Sequence, residues 1–571
     1  MNHFLKKILI ILSKKEKNKI FLSLIFSLIK SILEVVSIGL LIPILSIASS
    51  QDNKYFVNNY FSIFQKLNSK EAIFFFILIF IFVYLIKTSF IIFYNRWNSR
   101  FVQNLSVDLM KKVLDTYLSK KYIFFLENNS ALLIRNISSE TSIFALGLIG
   151  SIISAVTNLI FIIFICTFLI LYNNYSVYVI FFLALISFSI IRLSNDNFNK
   201  WASIRQNEAT YFSKKLFEVL GSIKEVILYN KKSFFLEEIS LHAKQFSNSA
   251  IYRDTASSFV APIIEFIGIL IFFIFFILLI FYSSMDLNEI LVLFGVFAFA
   301  CLRLLPTVIG FIRSFQNIKF NLPACDVVYQ VLKDLKDSDV FLSDRGLIKN
   351  QLENIEFKNV SFSYRGQTLP VLKDLTFSIK KGDRIAVVGE TGSGKTTLLN
   401  LISSLISPST GKIIINNIDK IDFYKQIRNR IGYVSQSVYL SDNTVFFNVT
   451  LRNNVTEEER QNLLFILDSL NLTTINNEKI NQFNFVGERG SKLSGGQIQR
   501  IGIARALFRD PDILILDEST NALDDENEEK ILNYLIKKFS KKIIIFCSHK
   551  KEILKYCNKI IEVKNNTITI D

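Results

Sequence analysis

The hydrophobic pattern divides the chain into two regions of different kind. Before about residue 320 long uncharged runs dominate, whereas the remainder mixes charged and apolar positions as a soluble domain does. Six of the apolar runs approach the roughly 20 residues needed to cross a ~30 Å hydrocarbon core. They fall at about 20–49, 71–94, 143–172, 176–195, 258–283 and 288–315. From 141 to 191 there is no charge, and only Asn173-Asn174 marks a turn, so the third and fourth runs predict one helical hairpin.

Between the spans, the segments at about 95–140 and 192–257 hold Arg96, Arg100, Lys111, Lys112, Lys120, Lys121, Lys214, Lys215, Lys231 and Lys232. Lys and Arg accumulate on the cytoplasmic side, so these segments and both termini are expected inside. Leu105, Leu109, Val113 and Tyr117, then Phe212, Leu216, Val219 and Ile223, keep a helical period through them. The spans are therefore expected to continue as cytoplasmic helices, with tips near 122–129 and 221–229 placed to touch the soluble domain. At the N-terminus the run from Ile8 to Leu12 is too short for a secretory signal and lacks a cleavage site. With Lys14, Lys15, Lys17 and Lys19 it predicts a basic amphipathic helix on the cytoplasmic face. Tyr55, Phe56, Tyr60, Phe61, Ile63, Phe64 and Leu67 alternate with polar residues after the first span, as either a short outer amphipathic helix or a loop with aromatic anchors.

Charges inside the spans each cost roughly 2.5–3.5 kcal/mol and ask for a reason. Lys30 and Glu34 stand one turn apart and are expected to pair. Lys87, Glu265 and Arg303 have no neighbour in sequence to pair with, and either face inward for function or snorkel to an interface.

In the second region, Ile355, Phe357, Val360 and Phe362, and then Leu375, Phe377 and Ile379, suggest edge strands. Continuous apolar runs at 385–388, 513–516 and 543–546 suggest buried parallel strands. The first of these leads into Gly389-Glu390-Thr391-Gly392-Ser393-Gly394-Lys395-Thr396, followed by Thr397 and Leu398-Leu399. A strand, a G-x-x-x-x-G-K-[ST] loop and a helix place backbone N–H groups and a helix N-terminus around a polyphosphate. Lys395 is expected to reach the β- and γ-phosphates and the Thr396 hydroxyl to hold Mg²⁺. Asp517-Glu518 follows the run at 513–516, where Asp517 is suited to bind the metal and Glu518 to deprotonate the attacking water. Leu493-Ser494-Gly495-Gly496-Gln497 opens a helix and constitutes a second anion-binding helix start.

Half the residues are hydrophobic and the net charge is +16. A basic balance can signal a nucleic-acid partner, but here the basic residues lie largely beside the spans, where topology places them, and no nucleic acid is expected. Cys166, Cys301, Cys325, Cys547 and Cys557 are scattered with no C-x-x-C pair, so neither a disulfide frame nor a zinc site is indicated.

Over essentially its whole length the chain resembles an ATP-binding cassette exporter in half-transporter form. The resemblance rests on the order of phosphate loop, Gln436, Leu493 to Gln497, Asp517-Glu518, Ala522-Leu523-Asp524 and His549. It implies six transmembrane helices of exporter type in a domain at 1–325, a linker at 326–350, and an α/β P-loop ATPase domain at 351–571. It implies ATP and Mg²⁺ as ligands, with Tyr364 stacking on adenine. Gln436 would sense the γ-phosphate and join Thr396 and Asp517 at the metal, and His549 would contact the γ-phosphate. Val486-Gly487-Glu488-Arg489-Gly490 resembles the exporter loop that meets the cytoplasmic helix tips. Asn484, Ser435, Ile498 and Lys550 depart from the usual pattern without removing a phosphate, metal or base contact.

In this family the signature Ser494, Gly495, Gly496 and Gln497 closes over a partner's nucleotide, which implies a dimer, most simply of two copies of this chain. The resemblance implies a multi-pass protein of the bacterial inner membrane, in contact with membrane lipid and moving a lipid-linked or hydrophobic substrate. The segment 34–43 and Leu302-Arg303-Leu304-Leu305-Pro306 resemble flippases of lipid-linked oligosaccharides, for which Lys87 and Arg303 would compensate a diphosphate. Alternatives are a glycolipid such as a lipopolysaccharide core, drugs or peptides, and, in another class, a nucleotide-gated channel or regulatory membrane ATPase.

Overall fold

The computed structural model describes residues 2–49, 69–282, 287–333, 352–367, 369–416, 427–472, 474–475, 478–479, 484–548 and 550–571. The aromatic stretch at 55–67, most of the linker and His549 lie outside the described residues. The chain divides into two compact units, Met1–Lys120 with Phe124–Asp339, and Lys121–Ile123 with Val340–Asp571.

In the first unit α1 (Asn2–Ile11) leads through Ser13 into α2 (Lys14–Gly39). Ser13 and Glu16 form a reciprocal capping box, which satisfies two of the helix's orphan N–H groups. The first span breaks at Leu40 and resumes as α3 (Leu41–Ser49), two residues ahead of Pro43. Proline fits the first turn of a helix because its missing N–H is unpaired there anyway. The remaining helices are α4 (Ser69–Leu118), α5 (Tyr122–Glu127), α6 (Ser130–Arg135), α7 (Gly150–Tyr172), α8 (Ser176–Gly221), α9 (Ile223–Leu228), α10 (Lys232–Ser258), α11 (Val260–Tyr282) and α12 (Leu287–Lys333). Two wider π-type segments, Asn136–Glu140 and Ile143–Ile149, join α6 to α7.

Among the described residues, six helical segments are long and apolar enough to span a membrane, one at each expected run. They continue well beyond the apolar stretches, as the helical period in the basic segments anticipated, and α5 and α9 cap the turns at the expected tips. α12 runs unbroken to Lys333, past Pro306 and Pro323.

The expected Lys30–Glu34 pair is not formed. Ser23, Ser27, Ser31, Glu34 and Ser37 are buried on one face of α2, while Lys30 beside them is half-buried, 5.9 Å from the Tyr94 ring centroid. Glu34 instead meets Lys87 of α4 at 3.0 Å, and both are nearly inaccessible, at 6% and 2% exposure. A carboxylate turned into a bundle needs its counter-charge from the helix it packs against. Lys87 also bonds to Ser37 at 3.4 Å and stands 3.9 Å from the Tyr84 ring centroid.

The second unit is an α/β domain. β1 (Asn354–Phe362) lies between β2 (Leu372–Lys380) and β4 (Thr410–Ile415) in an antiparallel sheet. β3 (Arg384–Val388), β5 (Ile431–Val434), β8 (Ile513–Asp517), β9 (Ile543–Cys547), β10 (Lys559–Lys564) and β11 (Thr567–Ile570) form the main sheet in the order β11-β10-β3-β9-β8-β5. A two-stranded piece, β6 (Thr474–Ile475) and β7 (Glu478–Lys479), stands apart. All pairings in the main sheet are parallel except β10 with β11. β8 and β9 are buried along their whole length, which explains why their sequences are continuously apolar rather than alternating. α13 (Lys395–Ile402) follows β3, and α14 (Val445–Thr450), α15 (Glu457–Ser469), α16 (Gly495–Phe508) and α17 (Asp525–Lys538) complete the unit.

Candidate functional site: a phosphate cradle at the strand ends

Parallel strands bring their carboxyl ends to one edge, and in such sheets ligands bind there. The register sets Val387 of β3 and Asp517 of β8 on either side of Cys547 in β9, so the phosphate loop and the acidic pair leave the sheet from neighbouring strands. Gln436 follows β5, the next strand along.

The phosphate loop is shaped by left-handed glycines, Gly389, Gly392 and Gly394, at φ +150°, +85° and +105°. A side chain at Gly389 would also approach within 2.4 Å of the Val563 carbonyl oxygen and 2.8 Å of Ser393 Oγ. Gly394 stands as the N-cap of α13 with no side-chain bond, so the helix's first N–H groups are left to a ligand. Lys395 folds its ammonium back onto the carbonyls of Gly389 and Glu390, at 2.8 and 2.9 Å. Ser393 Oγ is buried with no hydrogen-bond partner. A spare cation, an orphaned hydroxyl and an uncapped helix start fit a polyphosphate, for which each supplies a donor. Thr396 is exposed at the helix start, and Thr397 is buried, its hydroxyl 3.2 Å from the Tyr364 hydroxyl. Tyr364 is half-buried and packs edge-on against Phe362.

Gln436 donates its amide to Glu518 at 2.8 Å, so two residues 82 positions apart meet. Glu518 itself sits at φ +48°, and its N–H donates to the Cys547 carbonyl at 2.9 Å, which holds the carboxylate in that turn. A non-glycine residue in this region costs of order 1–3 kcal/mol and persists where surrounding bonds hold it. Asp517 accepts from the Tyr433 hydroxyl at 2.9 Å. Burial, and then the adjacent Asp517 charge, raise the Tyr433 phenol well above its ordinary value, so it remains a donor. Burial first, and then Asp517, push the Cys547 thiol up to about 12, which keeps it neutral beside the acidic pair.

The signature opens α16 with a reciprocal capping box: Ser494 Oγ accepts from the Gln497 N–H at 3.3 Å, and the Gln497 side chain accepts from the Ser494 N–H at 2.9 Å. Among the described residues, these bonds tie the signature to itself and not to the phosphate loop. Gln499 holds the N–H of Ala522 at 3.0 Å, and Asp524 caps α17. Lys550 forms an ion pair with the buried Glu528.

The structure therefore brings Gln436 to Glu518, Lys395 to its own loop and Tyr364 to Thr397. Two positioning residues escaped the sequence reading, Tyr433 and Gln499. Tyr433 had a signal, a hydroxyl within an otherwise apolar strand, but nothing in the sequence says which acid it reaches. In the first unit, Arg303 donates to the Tyr84 hydroxyl and lies 5.9 Å from the Phe299 ring centroid.

Six membrane-length helices on one chain with this strand-end cradle define a membrane-bound nucleotide-binding protein of the transporter class. Residues 20–302 match the ABC transporter transmembrane region and residues 372–521 match the ABC transporter domain. The chain belongs to the ATP-binding cassette transporters, as an exporter-type half-transporter whose second unit is an ABC ATPase domain. It is similar to the ATP-dependent lipid A-core flippases of Escherichia coli (strain K12) and Shigella flexneri, at 28% identity over 389 residues. Those alignments cover 66% of this chain and 64% of each relative, somewhat under two thirds of the relatives' length. A solved bacterial Atm1-family ABC exporter with ATP bound shares the fold, with a TM-score of 0.75 at 17% identity over 97% of this chain and 94% of that one.

Proposed function

We propose that this protein is an ATP-driven flippase that moves an amphipathic lipid with an anionic head across the bacterial cell membrane, working as a homodimer. The observation that carries the catalytic half is the Gln436–Glu518 contact at 2.8 Å beside the phosphate loop. It supports Glu518 as the general base for attack on a nucleotide's terminal phosphate. Lys395 leaves its carbonyl partners for the β- and γ-phosphates, and Ser393 and the N–H groups of Gly392, Gly394 and Thr396 surround them. Tyr364 offers a face for adenine, and His549 a contact to the γ-phosphate. Mg²⁺ would be held by the Thr396 hydroxyl, Gln436 and Asp517, where it would neutralise developing phosphate charge. The Gln436 amide nitrogen already serves Glu518, which leaves its oxygen for the cation. Glu518 orients and deprotonates the attacking water.

The signature's bonds are internal, which supports its acting on a partner's nucleotide. Coexpressed Lys395→Ala and Ser494→Ala chains should then yield mixed dimers with one intact composite site and more ATPase activity than either mutant homodimer. Equal activities would sink the trans geometry.

For the substrate, the leading candidate is a polyprenyl-diphosphate oligosaccharide, whose tail stays in lipid while its charged head crosses. Glu34 already neutralises Lys87, so Arg303 carries the contact with the diphosphate and the Lys87–Glu34 pair fixes Tyr84 beneath it. A glycolipid is the second reading, favoured by the lipid A-core flippases among the relatives. Proteoliposomes offered fluorescent versions of both lipids decide between them. Transport of the diphosphate lipid at a rate reduced by Arg303→Ala is expected, and transport of the glycolipid alone would reverse the assignment.

A further inference from the structure

A cavity of about 740 Å³ opens inside the membrane unit, within a single chain and away from Arg303. Three arginines line it: Arg205 on α8, Arg253 on α10 and Arg313 on α12. In sequence they stand ten residues past the fourth apolar run, five before the fifth and in the last turn of the sixth. The cavity therefore sits where hydrocarbon gives way to headgroups.

Its charge is unbalanced. The lining carries one carboxylate, Asp254, which is occupied by Arg253 through bonds of 2.9 and 2.6 Å. Glu140, outside the lining, pairs with Arg135 at 3.8 Å and also acts on Arg205, so two carboxylates face four arginines. Arg313 spends its Nε on the Ser257 carbonyl at 3.2 Å. Arg205 is 8% exposed, and one terminal nitrogen donates to Asn321 at 3.0 Å while the other, Nη2, is buried with no hydrogen-bond partner. A guanidinium donor left unmet in a buried place costs more than an ordinary hydrogen bond returns.

The arrangement is also held in place. Arg205 and Arg253 each lie 4.8 Å from the Phe320 ring centroid, so one aromatic ring packs against both guanidinium groups. Asn321, which orients Arg205, fits because residue 147 is glycine. A side chain there would come within 2.8 Å of the Asn321 amide. Gly147 belongs to the π-type segment Ile143–Ile149, a widened turn of the sort that recurs at functional sites.

We infer that this cavity binds a phosphate or diphosphate group, with the guanidinium forks of Arg205 and Arg313 as its donors and Arg253 supplying charge. Planar forks match phosphate oxygens two at a time, and fixing them in advance lowers the entropic cost of binding. The inference stands on the cavity and is independent of which lipid the protein transports.

Trp201 reports on it, since it stacks on Tyr252 at 5.8 Å and packs with Phe198 and Phe320. The test uses the full chain in phosphatidylcholine nanodiscs, with Trp97→Phe to leave Trp201 as the single tryptophan and Lys395→Ala to silence the phosphate loop. It is titrated with inorganic pyrophosphate and, in separate discs, with a polyprenyl diphosphate, the corresponding polyprenol serving as control. A saturable change in Trp201 emission is expected, with apparent affinity lowered about tenfold or more by Arg313→Gln and by Arg205→Gln. Arg313 is exposed and its replacement spares the packed interior, so Arg313→Gln decides the matter if Arg205→Gln does not fold. Response to pyrophosphate alone assigns a soluble ligand, and response to the lipid alone assigns a headgroup, either of which supports the site. No response to either probe, an unchanged affinity in Arg313→Gln, or an equal response to the polyprenol overturns it.

Discussion

The ATPase unit and the membrane unit both gather charged side chains, by opposite routes. In the ATPase unit the cradle is nearly contiguous, Gly389 to Thr396, and its polar groups are kept ready by their own loop, as the Lys395 bonds to Gly389 and Glu390 show. In the membrane unit the deeply buried contacts of Glu34 with Lys87 and of Arg205 with Asn321 are assembled between helices. A loop that must wrap a phosphate is specified by local backbone geometry, which glycines determine. A charge in a helix bundle is specified by whichever helix faces it.

The largest expected effect tests the contiguous side. Glu518→Gln should lower ATP turnover by roughly 10²–10⁴ while nucleotide binding persists, as loss of a general base does. Near-normal hydrolysis by the purified variant in lipid would show the carboxylate to be structural.

The next effect tests the assembled side. Lys87→Leu leaves the Glu34 carboxylate buried without its partner and should destabilise the membrane unit by about 3–5 kcal/mol, whereas Glu34→Gln with Lys87→Leu together should recover much of that. Lys30→Gln is the control, since Lys30 makes no ion pair with Glu34 in the fold. Thermal unfolding in detergent measures all three, and equal losses for Lys87→Leu and Lys30→Gln would restore the local pairing.

The smallest effect probes a contact between neighbouring strands. Tyr433→Phe removes the donor to Asp517 at a net cost of about 0.5–1.5 kcal/mol. If Asp517 holds the metal, the Mg²⁺ concentration for half-maximal ATPase should move a few-fold with little change in ATP affinity. A variant with an unshifted Mg²⁺ dependence would leave Tyr433 as packing only.

Much of this was legible because it is local or periodic. Six apolar runs of membrane length, the strand before Gly389, the alternation through Phe357 and Phe377 and the serine that caps α16 all act within a few residues of where they are written. The Glu34 partner was misread because the i,i+4 spacing of Lys30 was the nearest available answer. Lys30 lies on the same side of the helix as Ser23, Ser27, Ser31 and Glu34, so the spacing offered no correction, and only packing shows that Glu34 meets Lys87. Tyr433 and Gln499 were invisible as site residues for a related reason. Each acts on a backbone or side-chain group from another strand or loop, and nothing near them in sequence names it.

What the sequence by itself determined is the division into a membrane and an ATPase unit and the position of the phosphate-loop motif, with Glu518 and Asp517 as candidates for base and metal ligand. Backbone dihedrals, helix caps and the ~30 Å hydrocarbon thickness are short-range constraints, and they leave direct marks on residue order. Only the tertiary structure decided that Gln436 would meet Glu518, that Lys87 would answer Glu34, and that Arg205, Arg253 and Arg313 would line one cavity. Those encounters depend on strand order and helix packing, which bring together residues whose separation along the chain carries no record of the contact.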